Sequence, residues 1–268
     1  IDWAGGWLNY DKQPSAVEKA GFDPNHIALD ALRLKIDSLL FCSPTIKLNI
    51  LAAAFHEKCG LTVANAKGPF NMDSMGIALP DLRLKTPSSD ILLAFKMDMN
   101  AFSTDLPADS TGAFSVNMHG SLGSQDLLTL ASPYIPRDVR RVWPRVPIVV
   151  DGKAGGNLHH LHVNGLHLAM PGIMKVNADG FVANVTNLAS LRADMTVNAT
   201  ASNLSFVTPL LPKSVTSNIN IPRGIGLRGN VKLDGKRIAT KFSASQGGGS
   251  IGGTLALDMK RMAYNADI

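Results

Sequence analysis

The chain has almost no glutamate: of its 21 acidic residues only Glu18 and Glu57 are Glu, and the other 19 are Asp. Aromatic residues make up 6%, charged residues 18%, and only two cysteines, Cys42 and Cys59, occur in 268 residues. The longest purely apolar run, residues 50–55, falls far short of the roughly 18 residues a membrane-crossing helix needs. Glu supports helices, whereas Asp, Asn and Gly favour turns, so a chain with two Glu, 18 Asn and 24 Gly reads as strands broken by turns. At 45% hydrophobic it is neither disordered nor fibrous. The net charge of +5 is scattered apart from Arg137, Arg140 and Arg141, so no nucleic-acid partner is expected.

Catalytic signatures are missing too. No G-x-S-x-G, H-E-x-x-H or phosphate-cradling G-x-x-x-x-G-K-[ST] occurs, and no carboxylate pair stands out for acid–base work, which predicts a protein without enzymatic activity or cofactor. Residues 224–229 match G-x-G-x-x-G but run into an alternating apolar segment rather than a helix, so they read as glycine in a bent strand. His160 and His162 would share one face of a strand as two metal ligands, but with no carboxylate near them they read as part of a solvated face. Cys42 sits at a Ser43-Pro44 turn and Cys59 beyond the far end of the next strand, roughly 33 Å apart and far outside disulfide reach, so both are predicted to be free thiols.

What the chain does have is alternation of apolar and polar residues. Leu32, Leu34 and Ile36 alternate with Arg33, Lys35 and Asp37; Leu48 and Ile50 flank Asn49. Leu61 and Val63 precede a predicted Lys67-Gly68-Pro69 turn, and Ile77 and Leu79 lead through Pro80-Asp81 to Leu82 and Leu84. Ile91, Leu93, Phe95, Met97 and Met99 form the clearest series, with Lys96, Asp98 and Asn100 facing away. Phe114 and Val116 continue it, as do Leu161 with Val163, Leu166 with Leu168, Met195 with Val197, Ile219 with Ile221, and Leu255 with Leu257. Each reads as a strand with one oily and one wet face, and the turn spacing predicts roughly 16 to 20 strands in a meander. The fold class is therefore all-β and antiparallel. Residues 1–103 and 148–268 form two β segments, joined by a proline-rich connection over 104–147. That connection carries two short helices, one over 125–131 capped by Ser124 and one over 137–143 opened by Pro136. The Leu- and Arg-bearing segment 125–143 reads as a helical cap on the sheet, or alternatively as a membrane-surface or partner helix.

Open sheets of more than about ten strands usually curl or split into layers. A continuous apolar face with so few helical residues to cover it leaves a sandwich, a closed barrel, or a curled trough whose lining meets something oily. Ile1-Asp2-Trp3 reads as the inside of a strand, which predicts a piece of a longer protein.

Three stretches, Gly60-Leu61-Thr62-Val63, residues 77–89 ending in Thr86-Pro87-Ser88-Ser89, and the Gly-rich 233–264 end, make the chain resemble the TamB branch of the AsmA-like proteins of Gram-negative envelopes. The resemblance implies an open U-shaped trough (a β-taco) in the periplasm, anchored in the inner membrane by a helix outside this chain. It implies phospholipid traffic toward the outer membrane and a role in outer-membrane biogenesis. An outer-membrane barrel protein would be a partner through regions outside this chain. The apolar strand residues named above are then the lining that carries phospholipid or other acyl chains. The alternative is a structural scaffold that assists outer-membrane protein assembly by strand addition at its edges.

Overall fold

The structure is a computed structural model that describes residues 1–11, 21–23, 26–101, 103, 106–132, 135–185, 187, 189–210, 223–258 and 263–267. The chain is all-β: fifteen antiparallel strands follow one another in chain order in one sheet that is not closed. They are β1 (Asp2–Asp11), β2 (His26–Cys42), β3 (Thr45–Glu57), β4 (Thr62–Met72), β5 (Gly76–Lys85), β6 (Asp90–Asp98), β7 (Phe114–Leu122), β8 (Ile148–Asn157), β9 (His160–Met170), β10 (Met174–Ala183), β11 (Arg192–Ala201), β12 (Ile225–Asp234), β13 (Arg237–Gln246), β14 (Gly249–Asp258) and β15 (Ala263–Asp267). Between β7 and β8 lie α1 (Ser124–Leu130) and α2 (Arg137–Val142). Two compact units are distinguished, residues 1–96 with 118–149, and residues 97–117 with 150–268.

Fifteen described strands are fewer than the spacing predicted, because several predicted turns are bulges inside longer strands. Lys67-Gly68-Pro69 is not a turn but the middle of β4, where Gly68 pairs with Ile50 and Pro69 with Asn49. Gly68 has φ +144, and a Cβ there would lie 2.1 Å from the Asp81 carbonyl oxygen of β5, so glycine is what lets the two backbones approach. The same logic joins Leu161 and Val163 to Leu166 and Leu168 in one strand, β9. Its pairing with β10 shifts between Ala178 and Gly180, where Gly165 adopts φ +57. In β4, β5 and β9 the apolar spacing switches once from two to three (Val63 to Ala66, Leu79 to Leu82, Val163 to Leu166), and a bulge absorbs the odd residue so that the apolar side chains stay on one face.

In the first unit the apolar face is built as cross-strand ribs. Leu34, Ala53, Ala66 and Leu84 are successive partners across β2 to β5, and Ile36, Ile50 and Gly68 form the neighbouring row. Ala53, Val63, Ala66 and Leu82 make the buried cluster, with Leu34, Ile50, Phe55, Leu79 and Leu93 packed on it. In the second unit the ribs are longer: Leu168, Val176, Ala199, Leu227, Ala244 and Ile251 follow one another from β9 to β14. A second row runs Val163, Gly180, Met195, Val231, Thr240, Leu255 and Ala266.

Charges opposed on the wet face fix the register. Arg192 faces Asp234 (3.1 Å) and Lys232 faces Asp194 (3.1 Å) between β11 and β12, so a two-residue slip would set Arg192 against Lys232. Exposed pairs of this kind contribute little net stability, about 0–1 kcal/mol each, and their main effect is on pairing choice.

Candidate functional site

Two surfaces stand out: the apolar sheet face and a cleft in the first unit whose lining includes several charged and polar side chains.

On the sheet face, Leu32, Ile36 and Leu82 are buried, and Leu34, Leu48, Ile50, Ile77, Leu79, Leu84, Ile91, Leu93, Phe95, Met97, Phe114, Val116, Leu166, Leu168, Met195, Val197 and Leu257 are half-buried. Leu255 is 36% exposed, beside Leu227 at 41% and Ile251 at 51%. Met99 departs from the predicted series: it lies in the turn after β6 and is 54% exposed. Ile219 and Ile221 lie outside the described residues. The centre of the first unit's face is filled by alanine and valine against their neighbours, and Val63 is the largest fully buried side chain among the described residues. In the second unit the buried apolar residues among those described are few (Ala101, Leu158, Met170 and Ala178), and all fifteen described strands belong to one sheet.

The cleft, about 910 Å³ in volume, is framed by residues 21–23, the turn after β3, α1, and residues 140–147. Sequence reasoning passed over its anchor. Thr86, Ser88 and Ser89, in the β5–β6 turn, all donate hydroxyl hydrogen bonds to the buried Asp126 of α1, from 2.7 Å for Ser88 and 2.5 Å for Ser89. Thr86 Oγ1 also accepts the Ser88 and Ser89 backbone N–H groups (3.1 and 2.8 Å), and Gly123 N–H donates to Ser89 Oγ (2.8 Å). The Thr-Pro-Ser-Ser motif is thus a receptor for the start of α1. Ser124 is the first helical residue rather than its cap, since Gly123 occupies the cap position with no side-chain cap bond. Pro136 precedes α2 as its cap residue. The chain distance between Ser89 and Asp126, 37 positions, hides this pairing from a local reading.

The other half of the cleft depends on Glu57, one of the two glutamates. Buried at the end of β3, it accepts the Cys59 N–H through Oε2 (2.6 Å) and the Ala28 N–H through Oε1 (3.3 Å). Beside it His26 Nδ1 and Asp23 Oδ2 are 2.9 Å apart, both side chains only 8% exposed. Burial, and secondarily the Glu57 carboxylate, push the Cys59 thiol up to about 11, so Cys59 is a protonated thiol rather than a nucleophile at neutral pH. The positive lining comes from Lys58 and Arg145, both exposed, and half-buried Arg140, whose Nε is buried with no hydrogen-bond partner among the described residues.

Both cysteines are free, Cys42 exposed and Cys59 half-buried. His160 and His162 lie on the exposed side of β9 with ring centroids 4.7 Å apart, and His160 stacks on Phe181 at 5.1 Å. No group of three metal-ligating side chains occurs among the described residues. Residues 225–229 of the G-x-G-x-x-G match are strand β12. Among the described residues no helix is long and apolar enough to cross a membrane. No family model, curated protein or solved structure matches this chain.

Proposed function

We propose that this chain is a non-catalytic carrier of phospholipid acyl chains, which lie along the apolar face of its sheet while headgroups stay at the wet margin. The carrying observation is the run of apolar ribs from β9 to β14, six strands wide, that described residues leave half-exposed. Each methylene moved from water onto such a surface is favourable by about 0.8 kcal/mol. Many similar weak contacts, rather than one deep pocket, suit a cargo that must be released as well as held.

Placed in a Gram-negative periplasm, as the resemblance to TamB-type proteins implies, the trough would move lipid between inner and outer membranes in support of outer-membrane biogenesis. In the second reading the apolar face is a dry scaffold and the sheet edges recruit a partner strand. Lipid analysis of the purified protein separates the two: a carrier retains phospholipid, and replacing Met195 and Leu255 with Asp removes it from a chain that stays folded. A scaffold retains none.

A further inference from the structure

The cleft between the β3–β4 turn and the two helices lies in the first unit and is lined by residues other than those of the apolar strand face. Its acids are already engaged: Glu57 holds two backbone N–H groups, and Asp23 lies 2.9 Å from His26. Its cations are not. Lys58, Arg140 and Arg145 line the same space, and none has a carboxylate within ion-pair distance among the described residues. Arg140 is the telling member, because its half-buried guanidinium keeps a buried Nε with no hydrogen-bond partner among the described residues. A charged group held in a wall of lowered dielectric without a counter-charge is unfavourable unless something supplies one.

We propose that this cleft binds a phosphate ester. Lys58, Arg140 and Arg145 outnumber the two carboxylates of the lining, Asp23 and Glu57, which are turned to other partners, and planar guanidinium groups match the oxygens of phosphate in pairs. Ser124, Gln125 and Thr129 add neutral donors along the α1 side, and Leu128 offers an apolar contact for the organic part of the ligand. The volume, about 910 Å³, lies within the range of about 300–1,000 Å³ usual for small-molecule sites. The phosphate arrives either on a free small molecule or on a lipid headgroup, and the chemistry of the wall is the same for both.

The test uses the full chain and two double variants of equal charge change. Lys58→Gln/Arg145→Gln removes two exposed cleft cations. Arg192→Gln/Arg237→Gln removes two exposed strand cations of the second unit that sit in ion pairs with Asp234 and Asp258. Calorimetric titration with sn-glycerol 3-phosphate is run beside sedimentation with vesicles of phosphatidylglycerol, with circular dichroism to establish folding of each variant. A saturable response weakened at least about tenfold by the cleft variant and little by the strand variant supports the site, given the strength of charge-assisted contacts. That pattern with glycerol phosphate assigns a free phosphate ester. The same pattern with vesicles alone assigns a headgroup. No binding of either probe, or equal loss in both variants, overturns the proposal. Retention of lipid along the apolar face is read separately, by lipid content, and neither result decides the other.

Discussion

Ser89 Oγ donates a 2.5 Å hydrogen bond to Asp126 Oδ2, joining the β5–β6 turn to the first helix. Ser88 makes a second bond to the same oxygen, and Thr86 a third. A buried carboxylate that takes three hydroxyl donors is satisfied, and removing it takes the acceptor from all three, of which Ser89 is buried. Asp126→Ala is therefore expected to destabilise the first unit by about 1–3 kcal/mol, the cost of leaving buried polar groups unpaired. Urea unfolding followed by circular dichroism measures it. An unchanged midpoint would mean that α1 is held by something other than this contact.

Gly68→Ala tests the bulged course of β4. A Cβ at that position meets the Asp81 carbonyl oxygen at 2.1 Å, and φ +144 is unfavourable for alanine. The variant should lose about 1–3 kcal/mol or more, in the same unfolding assay. Were Lys67-Gly68-Pro69 an exposed turn instead, alanine would be tolerated within about 0.5 kcal/mol.

How much of this was visible in the sequence follows from what is local and what is not. Alternation is local, so the all-β class, the wet and oily faces and the free cysteines were legible. Proline and glycine were misread at residues 67–69 because a bulge and a turn use the same residue types, and only the partner strand tells them apart: Pro69 pairs with Asn49 and Gly68 lets Asp81 approach. The signal that was available is the spacing of three at Val63–Ala66, Leu79–Leu82 and Val163–Leu166, which a turn does not require and a bulge does. Asp126 gave no local sign, since its partners lie 37 to 40 positions away. Leu93 was readable as apolar lining but not as part of the packed cluster, so a charge placed there would unfold the face rather than only alter its surface.

The two thiols should differ in reactivity. Cys59 is half-buried and its thiol is pushed up to about 11, so below that pH it is mostly in the unreactive neutral form. Cys42 is exposed. Iodoacetamide at pH 8, followed by mass spectrometry of peptides, should label Cys42 first, and labelling of Cys59 should accelerate as pH rises toward 11. Equal rates at pH 8 would contradict the placement of Cys59 against Glu57.

Acid should weaken one surface contact in a defined window. Arg83 donates to Asp90 through Nε (2.9 Å) and Nη2 (2.8 Å), Lys85 lies 3.2 Å away, and the carboxyl is held down to about 2, first by the Arg83 hydrogen bond. A carboxylate whose folded pKa lies below its unfolded value of about 3.9 contributes its full stabilisation above that pH and loses it as pH falls toward 2. Melting temperatures of the native chain and Asp90→Asn should therefore differ at pH 5, and the difference should shrink as pH falls from about 4 through 2. A difference as large at pH 2 as at pH 5 would assign the effect to something other than this ion pair.

In the proposed carrier the ribs running from β9 to β14 hold hydrocarbon. Mass spectrometry of lipid extracted from the purified, folded protein tests it most directly, with Met195→Asp/Leu255→Asp as the comparison and circular dichroism showing that both chains are folded. Phospholipid retained by the native chain and lost from the variant is the predicted result. A native chain free of lipid, or a variant that retains as much, would contradict the account.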